Sequence, residues 1–173
     1  MLAMKLPGDM PDDLKKAEAL YCRAFPENER RPFSELVENP YGGTELFCFY
    51  DGETFVGMAC LLNTAAFSHI IYFAVDETLR GHGYGSKMLE LLHCSKPGKK
   101  FMADIERPDE AADNAGQRRR RKMFYLRAGY EETDIKYEWR HENYEVVSFG
   151  GRISEAEYDG FWKDLHNAAE RGQ

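Results

Sequence analysis

Arg80-Gly81-His82-Gly83-Tyr84-Gly85-Ser86 is the stretch whose residue types and spacing point most directly to chemistry. Glycine reaches backbone angles closed to other residues and lets a ligand come up against the main chain. Where such a turn opens a helix, the first N-H groups lack a helical acceptor and attract phosphate or pyrophosphate. Alternating glycines also make plain tight turns, so the spelling has to choose between ligands. A P-loop needs Gly-Lys followed by Ser or Thr, and Gly85-Ser86-Lys87 has the wrong order. A dinucleotide fingerprint needs Gly-x-Gly-x-x-Gly with an acid about 20 residues later. Gly81, Gly83 and Gly85 lack that spacing. Nucleotide hydrolysis and NAD binding are both disfavoured.

A second chemical feature is Arg118-Arg119-Arg120-Arg121-Lys122, which by composition alone suggests nucleic acid. Consecutive helical residues point about 100 degrees apart, so these side chains cannot form one stripe. At least one arginine is expected to turn inward or towards a ligand, with Asp104, Glu106 and Asp109 as nearby carboxylates. Nucleic acid is disfavoured as a partner because 23 Lys+Arg stand against 30 Asp+Glu, a net charge of -7. No metal is expected: His82, His93, His141 and His166 lack a clustered ligand spacing. Cys22, Cys48, Cys60 and Cys94 show no Cys-x-x-Cys and stand among apolar neighbours, which reads as reduced thiols.

The elements that must position these groups follow from periodicity. Asp9 and Pro11 precede Asp12 to Phe25, where Leu14, Ala17, Leu20, Tyr21 and Ala24 recur at helical spacing, and Pro26 ends the run. A charged loop, Glu27 to Arg31, leads to a short helix at Ser34 to Glu38, stopped by Asn39-Pro40. Glu45 to Tyr50 and Thr54 to Leu62 read as strands joined by a tight turn at Asp51-Gly52. His69 to Val75 is an apolar central strand feeding the glycine turn, with His69, Ile71, Phe73 and Val75 expected on one face. A helix over Gly83 to Cys94, a strand over Lys100 to Glu106 and a helix over Gln117 to Ala128 follow. Strands at Tyr130 to Trp139 and Tyr144 to Phe149 complete a mixed sheet. Ser154 and Glu157 form a capping box opening a last amphipathic helix with Phe161, Trp162 and Leu165.

A chain of 173 residues with 43% hydrophobic and 31% charged residues is a folding composition of single-domain size. No apolar run nears the roughly 20 residues needed to cross a bilayer. Residues 1–10 lack the apolar core of a signal peptide. A cytoplasmic protein without a membrane partner is expected, and a homodimer is compatible with the sequence.

Arg80-Gly81-His82-Gly83-Tyr84-Gly85 resembles in full the Gln/Arg-x-x-Gly-x-Gly/Ala signature of the GNAT superfamily of acyl-CoA-dependent N-acyltransferases. Phe124-Tyr125-Leu126-Arg127-Ala128-Gly129-Tyr130 is similar to that family's later Leu/Phe-Tyr-x-x-x-Gly-Phe segment. The order of elements agrees from about Leu14 to Phe149. The resemblance implies a three-layer α/β/α fold around a mixed, mostly antiparallel, splayed sheet, as one domain over 1–173. The helix at about 154–170 would be an addition.

The resemblance also implies acetyl-CoA as co-substrate. Gly81, His82, Gly83, Tyr84, Gly85 and Ser86, with Arg80, would hold its pyrophosphate, and Phe73, Ala74 and Val75 would bond its pantetheine arm. Tyr125 would protonate the departing thiolate. Where the family carries an asparagine near the start of this helix, Arg118 stands here, with Asn114 four residues earlier. An amine of lysine-like pKa is free in roughly one molecule in 2,500 at pH 7, so a base is needed. His69 falls where some members carry a glutamate base, and imidazole as a class titrates near neutrality. Glu106 ends the strand where the sheet would splay, and would act as base or bind the ammonium. The acceptor would lie against the loop Glu27 to Arg31, whose mixed charge does not choose a substrate, although the overall charge favours a cationic amine. The reading from a different class is an acyl-CoA-binding sensor that keeps the turn and lacks turnover.

Overall fold

The computed structural model describes residues 1–6, 11–39 and 43–171; Asp9 and Pro40, expected to flank helices, lie outside them. The first helix, α1 (Pro11–Ala24), places Asp12 and Asp13 in its first turn and Arg23 in its last, charges that suit its dipole. A 3-10 turn at Glu27–Glu29 and a short α2 (Phe33–Glu38) follow. Then come β2 (Thr44–Asp51), β3 (Thr54–Asn63) and β4 (Phe67–Val75), preceded near the N-terminus by β1 (Leu2–Lys5). The second half alternates α3 (Tyr84–Ser95), β5 (Lys100–Glu106), α4 (Ala115–Arg127), β6 (Glu131–Trp139), β7 (Glu142–Phe149) and α5 (Glu155–Arg171). Strand β1 has no counterpart in the sequence reading. Its four residues carry little signal of their own, and pairing of Leu2 to Asp51 and Lys5 to Cys48 defines it.

The strands form one seven-stranded sheet in the order β1-β2-β3-β4-β5-β7-β6, in which only β4 and β5 run parallel. Two irregularities there create the site. Parallel pairing covers only Phe67 to Ile70 against Lys100 to Ala103, although β4 runs on to Val75 and β5 to Glu106. Beyond Ile70 the strands part, leaving a main-chain edge without its ladder. On the other side of β4, Leu61 pairs with Ile70 and Cys60 with Tyr72, so Ile71 is an extra, bulged residue.

The bulge corrects the expectation that His69, Ile71, Phe73 and Val75 share a face. Simple alternation assumes an unbroken ladder, and one inserted residue flips all that follow. Ile70, Phe73 and Val75 pack with α3 and α4, in a core that includes Met88, Leu92 and Tyr125. Tyr72 and Ala74 face α1, with Ala17, Leu20 and Tyr21. His69 lies with α5, its ring edge-on to Phe161 at 5.5 Å and Trp162 at 5.4 Å. Helices therefore cover both faces of the sheet. No described helix is long and apolar enough to cross a membrane.

The cysteines divide. Cys48 and Cys60 are buried and their thiols are pushed up to about 12 by burial, whereas Cys22 and Cys94 are exposed, unlike the apolar setting expected for all four. A cysteine's own neighbours in sequence do not say which face of a helix it takes.

Candidate active site

The glycine turn is built as its residue types require. Gly81 and Gly83 have φ of +81° and +79°, the left-handed region where a side chain is strained. A Cβ at either would meet nothing within 4 Å, so the turn presents open main chain. Gly85 serves packing instead: a Cβ there would stand 3.0 Å from the Phe124 ring. Asp76 caps the approach, its Oδ1 accepting from Thr78 N at 3.0 Å. The His82 Nδ1 lies 3.0 Å from the Arg80 carbonyl, and Arg80 Nε donates to Val75 O at 3.3 Å. The first bond across the helix start runs from Lys87 N to Gly83 O at 3.3 Å. The amides of Tyr84, Gly85 and Ser86, one turn earlier, thus stand at an uncapped helix start whose Gly83 has no side chain to satisfy them. This donor set fits a diphosphate.

On the α1 and α5 side of the sheet, a cleft of about 720 Å³ opens where β4 and β5 part. His69 and Tyr72 reach it from β4, Asp104 and Glu106 from β5, and Asn114 and Arg121 from α4. The loop after α1 forms one wall. It is fixed by hydroxyls: Tyr21 Oη donates to Arg31 O at 3.0 Å, and Tyr72 Oη donates to Glu29 O at 3.0 Å. The β6–β7 hairpin and α5 supply the opposite wall, including Tyr137, Tyr144, Tyr158 and Trp162.

Two acidic networks occupy the floor. His69 is 2% exposed, and its Nε2 stands 3.1 Å from Asp104 Oδ1. Neither ring nitrogen has a well-aligned hydrogen bond, so imidazole and carboxylate stand side by side without a directed bond between them. Asp104 Oδ2 accepts from Tyr137 Oη at 2.6 Å and Tyr158 Oη at 3.3 Å. Burial pushes the Asp104 carboxyl up, but His69 and these donors outweigh it and hold it below the usual range. Glu106 is 8% exposed and accepts from Arg121 Nη1 at 2.6 Å and, more weakly, from Asn114 Nδ2 at 3.5 Å. Burial, then the Glu106 charge, raise the Glu29 carboxyl above the ordinary value.

The arginine run divides as helical geometry demands. Arg118 turns inward, 7% exposed, giving Nε to Asn114 Oδ1 at 2.7 Å and Nη2 to Glu142 Oε2 at 3.0 Å. Its donors therefore lock α4 to the start of β7, away from the glycine turn. Arg119 pairs with Glu110, and Arg121 with Glu106 rather than Asp104 or Asp109.

Tyr125 is 6% exposed, packed against Phe124 and Tyr130 on the sheet face opposite α5. Burial pushes its phenol up to about 12, with Arg121 lowering it and Asp104 raising it, so it senses the parted strand ends. Tyr125 does not line the cleft. The structure thus brings His69 and Glu106 together in the cleft, with Phe73, Ala74 and Val75 leading from there to the turn. Asp104, Asn114, Glu29, Tyr137, Tyr158 and Trp162 were not singled out as site residues. Asp104 carried a signal, since it lies two residues before Glu106 on one strand face. Among the described residues no three His, Cys, Asp or Glu side chains converge as a metal site.

No curated protein matches the sequence. Solved structures share the fold at low identity. A GNAT-family protein from Bacteroides thetaiotaomicron superposes with a TM-score of 0.75 at 24% identity, over 96% of each chain. The aminoglycoside 6′-N-acetyltransferase from Enterococcus faecium gives 0.64 at 13%, over 86% of this chain and 96% of that one. A GNAT family acetyltransferase from Elizabethkingia anophelis with acetyl-CoA bound gives 0.52 at 17%, over 86% and 96%. Residues 42–132, which hold β3, the parted strands, the glycine turn and α4, match the Acetyltransferase (GNAT) domain, and the chain belongs to that family.

Proposed function

We propose that the chain transfers an acetyl group from acetyl-CoA to a primary amine by direct attack in the cleft, in the cytoplasm, where its four cysteines remain free thiols. The observation that carries this reading is the continuity of open main chain. The amides at the α3 start, the unpaired β4 edge from Ile71 to Val75 and the cleft form one path. Arg80 and the amides of Gly81 to Ser86 hold the diphosphate. Phe73, Ala74 and Val75 offer main-chain groups to the pantetheine arm. When bound, the thioester supplies an activated carbonyl carbon and a thiolate leaving group.

His69 takes a proton from the acceptor's ammonium and so frees the amine to attack, and Asp104 stabilises the imidazolium that forms, as a carboxylate beside a histidine does. Glu106, held by Arg121, places a negative charge where the ammonium enters. The amine nitrogen bonds to the carbonyl carbon, the carbon-sulfur bond breaks, and Tyr125 gives its proton to the sulfur. The nitrogen then gives its second proton to the Tyr125 phenolate, leaving a neutral amide, the free thiol and the one proton held by His69, which passes to solvent. With its phenol pushed up to about 12, Tyr125 stays protonated at neutral pH. Against a thiol near 8.5, transfer is uphill by roughly 3 units, so the proton moves only as the thiolate charge develops.

Calorimetric titration with acetyl-CoA, NAD and ATP, followed by thiol-release assays over an amine set, tests the reading. Selective acetyl-CoA binding with amine-dependent thiol release supports it. Binding without release favours the acyl-CoA sensor. Tyr125→Phe should lower kcat at least tenfold while the acetyl-CoA Kd stays within twofold, and equal kcat in the two proteins rejects the acid role.

A further inference from the structure

The charges lining the cleft do not balance against one another in the way that a site for a simple cationic amine would require. Asp104 is answered by His69 and two tyrosine hydroxyls, and Glu106 by Arg121 and Asn114. Glu29, the third carboxylate, is shifted towards its neutral form by burial and by Glu106. The cations at the mouth are answered less completely. Arg30, on the loop after α1, has a buried Nε with no hydrogen-bond partner, an expensive arrangement for a guanidinium. Arg140, on the opposite wall, meets the Trp139 ring 4.3 Å from its centroid and pairs with no carboxylate among the described residues. It sits on a two-residue hairpin turn where Arg140 and His141 have φ of +49° and +66° without a glycine, so the backbone is strained to hold that tip.

Along the wall that carries Arg140 runs a strip of five rings contributed by three elements. Trp139 packs on Tyr144 at 6.3 Å, Tyr144 stacks on Tyr137 at 5.4 Å, Tyr137 on Tyr158 at 6.4 Å, and Tyr158 meets Trp162 at 6.1 Å. All five line the cleft and none is fully buried, Trp139 being 43% exposed. Large rings left part-open along a concave wall are suited to a flat apolar body. A cleft of about 720 Å³ is large enough for an amino-acid-sized acceptor beside a thioester arm.

Resting on the acetyltransfer reading, we infer that the acceptor is an amine that also carries an anionic group and a flat aromatic body, the simplest member being an aromatic α-amino acid. Its ammonium enters over Asp104, His69 and Glu106, its ring lies on the strip, and its anion meets Arg30 and Arg140. This departs from the cationic amine that the net charge of -7 suggests, because surface charge does not report the local balance in a cleft.

The test compares phenylalanine, phenethylamine and spermidine as acceptors by thiol release at saturating acetyl-CoA. Phenylalanine should give a kcat/KM at least tenfold above the other two. The double variant Arg30→Ala, Arg140→Ala should lose at least tenfold more on phenylalanine than on phenethylamine. A readout independent of turnover is at hand, because both tryptophans of the chain line the cleft. Phenylalanine should change their fluorescence saturably in the wild type, and the double variant should need at least tenfold more of it. Phenethylamine or spermidine ahead of phenylalanine, or equal losses on both acceptors in the double variant, overturns the inference and leaves acetyltransfer standing. No thiol release with any acceptor, while acetyl-CoA still binds, overturns the acetyltransfer reading and the inference with it.

Discussion

The glycine turn and the cleft lie at the two ends of the parted β4 and β5 strands and are built by opposite means. The turn is made of backbone from one contiguous stretch. Gly81 and Gly83 leave open space where a Cβ would stand. The cleft is made of side chains from β4, β5, α4, the loop after α1, the β6–β7 hairpin and α5. A backbone site binds a feature common to many ligands, such as a diphosphate, and tolerates sequence change except at the glycines. A side-chain site reads one ligand, and each contributing element can change independently. The difference teaches where a shared co-substrate and a particular acceptor are each recognised.

Replacing one residue in each region should expose that difference. The largest expected effect is Asp104→Asn, which keeps shape but removes the charge facing His69. It should cost on the order of 10² to 10³ in kcat/KM while leaving acetyl-CoA affinity within a few-fold, measured by thiol release and calorimetry. A matching loss of coenzyme affinity would mean that the two regions are not separate. Next is Gly83→Val, where a β-branched residue is forced to a φ of +79° and fills the open cradle. Acetyl-CoA affinity should fall about a hundredfold, roughly 3 kcal/mol. An unchanged Kd would place the diphosphate elsewhere.

The same division decides what can be read from the sequence. Because the turn is contiguous, Arg80 to Ser86 spells its own geometry, and β5 falls at Lys100–Glu106 as periodicity predicts. His69 and Glu106 are identifiable because each sits at a position on a strand that family resemblance can index. Tyr137, Tyr158 and Trp162 are not, since their role depends on which strand α5 covers, and amphipathicity gives a helix an apolar face without naming its partner. The bulge at Ile71 has no glycine to mark it, and the turn at Arg140 and His141 has neither the glycine nor the asparagine or aspartate that marks a tight hairpin. Both are set by tertiary packing that overrides local preference. The bonds of Arg118 to Asn114 and Glu142 could not be read from the sequence, because burial is decided by what the helix meets.

The smallest expected effect tests whether the cleft floor is stabilised by its own charge. Asp104 has a folded pKa below its ordinary value, so the fold favours the carboxylate. Between the folded pKa and the unfolded value of about 3.9, the unfolded chain binds more protons, and stability rises with pH. The contribution is fully present above about pH 4 and is lost as pH falls through the folded pKa. Tyr137→Phe removes the 2.6 Å bond to Oδ2 and moves the folded value back towards the ordinary one. At pH 7 the variant should be less stable by about 1.5 to 3 kcal/mol, the range for a hydrogen bond to a charged group. Tyr158→Phe, which gives up a 3.3 Å bond, should cost less. Urea unfolding at pH 7 and pH 2.5 should show the gap between wild type and Tyr137→Phe narrowing in acid. A gap that does not change with pH would mean that the hydroxyl contributes packing alone, and that His69 by itself holds the Asp104 charge.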